Sequence, residues 1–472
     1  MEQKNVLAID IGSGSGRGIL GCYVPSRGLV ATQEIHRFEN GYIRVGDHLY
    51  WDYMRIYRGI LDCMHACKAR GITPDSLGID SWAQDYAYIS GTGEVLGLPR
   101  CYHDPVFNVH GDDLERDLMQ TSAEISRRNG TAYGRFQTMR QLWYDRKYRR
   151  EIFSVAHTWL HIPYLMVYLL TGEACYDDTL MTIGGMADAN TLQVCPATVN
   201  LLGIGHMMPR RCARGERIGC TGAAVAAETG LESIPVLCVD AHDTASAVAA
   251  IPDEGDFLWI SSGSYNMFGA VLRQTGLNDT MYERRMSRTL LGDGRLCVMS
   301  GGGGMFYVQQ CMKKWKSRGL ELTYPELTEY ALAHPDEKFF RFEDVEDASE
   351  DMPASMNAAL VKNGFTPAGT PHELYEAFCN SLARQTAEGI DCMEEELGRR
   401  FDRLYNISGG SLADAYNCRL ARQTGKTVLA GLQEASSMGN MLAQLEGLGV
   451  PREKAVAADA GSGMFEMRRF LP

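Results

Sequence analysis

Apolar residues recur along this chain in two rhythms. Near the start, NVLAIDIGSGSGRGILGCYV is two runs of apolar and β-branched residues split by a Gly/Ser stretch. This predicts strand, turn, strand, with the turn supplying the φ > 0 positions a hairpin needs. Residues 51–70 place Ile56, Ile60, Met64 and Cys67 on one stripe and predict a helix. SLGIDSWAQDYAYIS returns to strands, residues 139–170 read as a helical stretch, and IPVLCV as a buried strand. The mixture predicts an α/β domain, residues 1–248, and a second domain over 249–472.

The second domain opens as the first does. GDFLWISSGSYNMFGAVL is again strand, Gly/Ser turn, strand, and ISSGS at 260–264 matches IGSGS at 11–15 in four of five places. Its position at the head of each half suggests a duplicated domain. TPHELYEAFCNSLARQTAEGIDCMEEELG is the clearest helix, with Thr370 as N-cap, Pro371 at the first helical position and Glu373 completing a capping box. RLYNISGGSLADAYNCRLARQTG follows as strand, Gly turn and helix, and the acidic FEDVEDASED reads as a solvated loop.

Length and composition narrow the class. At 472 residues the chain is too long for one core, which favours two domains of roughly 200 residues. Charged residues are 22% with no long polar tract, which argues against extensive disorder. A net charge of −13 repels phosphate backbones, so no nucleic-acid partner is expected, although backbone N–H groups can still bind a small anion. The 14 cysteines include no CxxC pair and no zinc spacing, and Cys63 and Cys67, one helical turn apart, read as packed thiols. MEQKNVLAID enters a strand at once, unlike a signal peptide. WLHIPYLMVYLL is too short to span a bilayer and contains His161 and Pro163. The expectation is a cytoplasmic protein with reduced thiols and no membrane partner, monomer or homodimer.

Three Gly-rich stretches invite a phosphate-binding reading. The dinucleotide fingerprint fails at the first, because Arg17 stands at the third glycine and a strand follows the turn. GKT at 425–427 lacks the P-loop glycine, its place held by Leu420. What remains is one Gly/Ser hairpin per half plus ISGGS. Such hairpins let backbone N–H groups approach phosphate oxygens, and Asp10 beside the first could hold Mg²⁺; the alternative is a structural hairpin with a capping Asp. VDAHDTASAVAA, residues 239–250, places His242, Asp243 and Thr244 where a strand ends and a helix begins. Either these cap the helix, or Asp243 is a general base kept ionised by the helix dipole. Ala245, Ser246, Ala247 and Ala249 let that helix pack close to other backbone. Trp82 is a sugar-facing wall or core, and Gly301 to Gly304 a nucleotide-side loop or a turn.

Taken in order, AIDIGSGSGR, GIDSWAQDYAYISGTGEVLGLPRCYHD, FQTMRQL, YLLTGE, AHDTASAVAAIP, WISSGSYNMFG, SEDMPASM, SLARQTAEGID, ISGGSLADAYNCRLARQTGKTVLAG and EASSMGN resemble the FGGY carbohydrate kinases. The resemblance covers most of the chain. It implies two ribonuclease-H-like domains of the actin-like ATPase fold, with a cleft between them. It also implies ATP and Mg²⁺ as cofactors and a small-molecule sugar as partner. By resemblance Asp243 is the general base, His242 and Thr244 contact the sugar, and Ala83 and Gly301 fall at sugar-side positions, with Trp82 beside them. Asp10 matches a metal-linked aspartate, and Gly12, Ser13, Gly14, Ser15 and Gly16 a phosphate loop. Ser264, Gln309 and Gly410 match nucleotide-side positions. The chain departs from the family at Ala83, usually glycine, at Gly301, usually asparagine, at His103, usually arginine, and in a shortened segment before FQTMRQL. All four bear on which sugar is used. The implied reaction is phosphorylation of a ketose, L-rhamnulose first, with fuculose, ribulose, xylulose or a polyol as alternatives. A nucleotide-binding sensor without sugar turnover is the remaining alternative.

Overall fold

The computed structural model describes residues 2–273, 281–346, 349–456 and 464–472. Residues 347 and 348 of the acidic run lie outside the described residues. The chain forms two sheet-containing α/β units. The first comprises Met1–Pro252, Gln274–Cys297 and Ala435–Phe465, the second Asp253–Arg273, Val298–Glu434 and Glu466–Pro472. The single boundary after residue 248 is therefore corrected, because two later segments return to the first unit.

The strands of the first unit include β1 (Lys4–Ile11), β2 (Ser15–Val24), β3 (Gly28–Glu39), β4 (Ser76–Ser81), β5 (Tyr86–Ser90), β6 (Ala156–His161), β7 (Arg217–Cys220) and β8 (Pro235–Leu237). Its six-stranded sheet runs β7-β8-β4-β1-β2-β3. β1 pairs antiparallel with β2 and parallel with β4. Both β1 and β4 are almost wholly buried, as parallel strands covered on both faces must be. The helix Tyr53–Ala69 starts where the Asp52 carboxylate accepts the Arg55 N–H, and it buries the predicted stripe of Ile56, Ile60, Met64 and Cys67.

The predicted helical stretch 139–170 is corrected. Helices Thr138–Tyr148 and Arg150–Val155 give way to β6, and a new helix, Ile162–Thr171, follows. β6 pairs antiparallel with β5, so a long-range ladder decides a segment whose apolar run fits either state. The glycines of the first turn also differ from expectation. Gly12, Gly14 and Gly16 do not adopt positive φ. Gly16 is required by closeness instead, since a Cβ there would meet the Phe38 ring at 2.2 Å.

The helix Ala435–Gly447 belongs to the first unit and lies against β1, β4 and the helix Asp243–Ala249. Its attachment is polar. Asn440 Nδ2 donates to Asp80 Oδ2 at 2.6 Å, and Gln444 accepts from Ser76 Oγ at 2.7 Å while donating to the Leu7 carbonyl at 3.1 Å. Asn440 and Gln444 are four apart and so share one helix face.

The second unit contains β9 (Phe257–Ser262), β10 (Asn266–Leu272), β11 (Leu296–Gly302), β12 (Arg403–Ile407), β13 (Thr427–Gly431) and β14 (Met467–Phe470), in the order β11-β10-β9-β12-β13-β14. β9 pairs antiparallel with β10 and parallel with β12, the same local plan as β1 with β2 and β4. The helix Pro371–Leu397 begins as predicted, with the Thr370 side chain accepting the Glu373 N–H. The Glu373 carboxylate accepts the Gly369 N–H at 2.8 Å, one residue before the expected capping-box partner.

Candidate active site

In the first unit, strand register assembles the acidic residues. Asp10 on β1 is the Cα partner of Asp80 on β4, and Ile11 that of Ser81. Ser81 in turn bridges to His242, and its N–H donates to the Ala241 carbonyl at 2.9 Å. The C-terminal ends of β1, β4 and the segment after β8 therefore lie side by side, where open α/β sheets hold their ligands. Asp243 is the first residue of the helix Asp243–Ala249.

The Asp10 carboxylate accepts from Arg17 Nη2 at 2.8 Å and Nε at 3.2 Å. Asp80 is fully buried; burial and neighbouring Asp10 drive its carboxyl well above the usual range. Asp243 keeps 35% of its side chain open. Even so, the protein packed around it, and then the negative Asp10, push its carboxyl up to about 7. Hydrogen bonds from the Thr244 N–H at 2.5 Å and hydroxyl at 3.1 Å oppose the rise without cancelling it. Burial and neighbouring Asp10 thus oppose the ionised state that the start of a helix favours.

His242 is the N-cap residue, but its side chain makes no capping hydrogen bond. Its Nε2 lies 3.6 Å from Asp243 Oδ1. Burial pushes His242 down to about 4, and burial with neighbouring His242 pushes His161 down to about 3, so both rings are neutral near pH 7. The Thr244 hydroxyl is committed to Asp243.

The Gly/Ser turn after β1 is held by its own backbone and by Asn40. Gly12 N–H donates to the Ser15 carbonyl at 3.0 Å, Asn40 Nδ2 donates to the Gly12 carbonyl at 2.8 Å, and Asn40 N–H donates to the Gly14 carbonyl at 3.3 Å. A Cβ on Gly14 would meet nothing within 4 Å, so this turn is open above its second glycine. Ser13 and Ser15 complete it.

Trp82 and Ala83 are each 8% exposed and belong to the core of the first unit. Trp82 packs on Trp51, ring centroids 4.1 Å apart. Gly301, by contrast, lies on β11 of the second unit, against Tyr265 and Met267. His103 packs on Tyr102 at 4.1 Å.

The second unit holds a cavity of about 700 Å³. Ser264, Gln309 and Gly410 all line it, with apolar walls from Met305, Tyr324, Leu332, Leu412 and Ala413. Ser264 Oγ donates to Gln309 Oε1 at 3.2 Å. Gly410 is needed for closeness, because a Cβ there would meet the Ser262 carbonyl at 2.6 Å. Ser408 adopts φ 70°, a left-handed conformation for a non-glycine residue, with its hydroxyl 2.9 Å from that of Ser261.

Sequence reasoning did not single out Asp80, Asp85, His161 or Gln84. The repeated AID and GID strand ends carried a signal for Asp80. The others depend on partners distant in sequence. Among the described residues no group of three or more His, Cys, Asp or Glu side chains is arranged to hold a metal ion, and no helix is long and apolar enough to cross a membrane.

No family model matches the chain. The fold is that of solved carbohydrate kinases. It resembles Plasmodium falciparum glycerol kinase with ADP at TM-score 0.79 and 13% identity, covering 100% of this chain and 94% of that one. It resembles xylulose kinase from Rhodospirillum rubrum at TM-score 0.78 and 15% identity, with the same coverage. The sequence relatives are more particular. Rhamnulokinase of Bacteroides thetaiotaomicron is 29% identical over 100% of this chain and 96% of its own length. Rhamnulokinase of Oceanobacillus iheyensis is 29% identical over 94% of this chain and 93% of its own length. The resemblance to FGGY kinases found in the motifs is thus matched by full-length homologues and structural neighbours that are carbohydrate kinases, which are phosphotransferases.

Proposed function

We propose that this protein phosphorylates L-rhamnulose with ATP and Mg²⁺, in the cytoplasm, and that Asp243 is the general base. The observation that carries the reading is the position of Asp243, first residue of its helix at the strand ends, beside Asp10 and next to His242. Phosphoryl transfer asks the protein mainly to position the acceptor and stabilise charge. A carboxylate at the acceptor hydroxyl orients it and takes its proton late, and a base titrating near the working pH is well matched to that task. Ala83, His242 and Thr244 belong to the sugar side, and Thr244 acts through Asp243 by fixing its rotamer.

The cavity lined by Ser264, Gln309 and Gly410 suits a nucleoside: apolar walls for the base and a Gly/Ser rim for phosphate oxygens. The open turn Gly12–Gly16 is the second phosphate-binding element. Asp10 and Asp243 form a negative pair that a divalent cation would relieve, and Mg²⁺ commonly keeps its waters and uses one or two carboxylates. Asp10 would hold it, directly or through water, where it would neutralise phosphate charge.

Ala83, His103 and Gly301 favour a second reading within the same chemistry, a kinase for fuculose, ribulose, xylulose or a polyol. Measuring ADP release over a panel of ketoses and polyols separates the two. The highest kcat/KM with L-rhamnulose supports the first reading, and a clear preference for another acceptor replaces it. Failure of every sugar to stimulate ATP consumption would favour a nucleotide-binding sensor.

A further inference from the structure

We propose that Asp85 is a positioning residue for the sugar-side loop, its buried carboxylate fixing the Trp82–Ala83 edge through four hydrogen bonds drawn from four segments of the first unit. The proposal rests on the reading above that Ala83 lies against the sugar. Asp85 Oδ2 accepts from Trp51 Nε1 at 2.6 Å, from Trp82 Nε1 at 3.1 Å and from the Tyr102 N–H at 3.2 Å. Its Oδ1 accepts from Gln141 Nε2 at 2.8 Å. The residue is 1% exposed, so these donors replace water entirely, and each bond is charge-assisted while the carboxylate is ionised.

The loop is held in an unusual backbone to make this possible. Gln84, between that edge and Asp85, has φ 85°, a left-handed conformation that a non-glycine side chain adopts only where its surroundings impose it. Thr138 imposes it here, donating from its N–H to Gln84 Oε1 at 3.1 Å and from its hydroxyl to the Gln84 carbonyl at 2.9 Å. The kink brings the indole of residue 82 back onto the carboxylate of residue 85. Ala83 sits inside this clamped span, so its place is set by the Asp85 hub and not by its own methyl group.

The test is a split between kinetic constants in the full-length enzyme with L-rhamnulose as acceptor. Asp85→Ala is expected to raise the sugar KM at least tenfold, lower kcat less, and leave the ATP KM unchanged. Asp85→Asn keeps an oxygen for Trp51, Trp82 and Tyr102 but sets its NH₂ against the Gln141 NH₂, which the Phe136 carbonyl holds in place at 2.8 Å, so it is expected to raise the sugar KM in the same direction by a smaller factor than Asp85→Ala. If Asp85→Ala does not fold, Trp82→Phe, which deletes only one donor to the hub, is expected to move the sugar KM in the same direction by a smaller factor. An unchanged sugar KM in the folded variant, or equal rises in the sugar and ATP KM, overturns the proposal. If the parent enzyme itself turns over no sugar, the functional reading fails first and the proposal with it.

Discussion

Gly439 lies so close to Ser246 that a methyl group on it would meet the Ser246 carbonyl oxygen at 1.8 Å. Ser246 belongs to the short helix that begins at Asp243, and Gly439 to the helix that returns from the C-terminal part of the chain. The two backbones touch with no side chain between them. The position of Asp243 therefore depends on a glycine nearly 200 residues further on. Gly439→Ala is expected to displace the helix Asp243–Ala249. Core overpacking costs about 1–3 kcal/mol; here the obstacle is backbone, which cannot rotate away, so the cost lies at the top of that range or above and exceeds the gain of about 1 kcal/mol in helix propensity. The expected result is a fall in melting temperature together with a fall in kcat, read by thermal unfolding and steady-state ADP release.

A carboxyl pushed up to about 7 gives Asp243 a visible titration. If its ionised form takes the acceptor proton, kcat/KM falls about tenfold per pH unit below that value and levels above it. Stability moves the other way. The native carboxyl holds its proton above the ordinary 3.8, so wild type loses stability as pH rises from there towards 7. Asp243→Asn escapes that loss. Its melting temperature relative to wild type is expected to rise between pH 4 and pH 8, as measured by differential scanning calorimetry.

His161 behaves in the opposite sense. Its native value of about 3 lies below the ordinary 6.5, so the unfolded chain takes up a proton that the native state refuses. Stability from this group is present above 6.5 and is lost as pH falls from there. His161→Gln, which retains a partner for the Thr138 hydroxyl, is expected to flatten the acid limb of a melting-temperature profile between pH 7 and pH 4.5. Parallel curves would assign the acid lability elsewhere.

Gly410→Ala tests the nucleotide pocket. The added Cβ meets Ser262 Cβ and its carbonyl at 2.6 Å and Met305 Cε at 2.9 Å, so the end of β9 or the pocket wall must move. The ATP KM is expected to rise on the order of tenfold, about 1.4 kcal/mol, with the sugar KM unchanged. A change confined to the sugar KM would contradict the assignment of this pocket to ATP.

The parts legible in the sequence were those that local pattern decides. Both Gly/Ser hairpins, the helix Tyr53–Ala69 and the helix that starts at Pro371 stand where turn residues, caps and apolar stripes put them. The strand Ala156–His161 was not legible, because its apolar residues run directly into the next helix and only pairing with Tyr86–Ser90 separates them. Asp80 showed only in the repeat of AID by GID, since its amide partner, Asn440, is 360 residues away. Asp85 gathers donors from residues 51, 82, 102 and 141, which no short motif records. The glycines of the first turn were identified, but their positive φ was misread: at position 16 what matters is the space a Cβ would take.

The base assigned to position 243 is tested most directly by the turnover number of Asp243→Asn with L-rhamnulose, measured alongside calorimetric binding of ATP. The side chain keeps its size and loses its capacity to accept a proton. A fall in kcat on the order of 10²-fold or more with ATP binding intact is the predicted result, and near-normal turnover would contradict it.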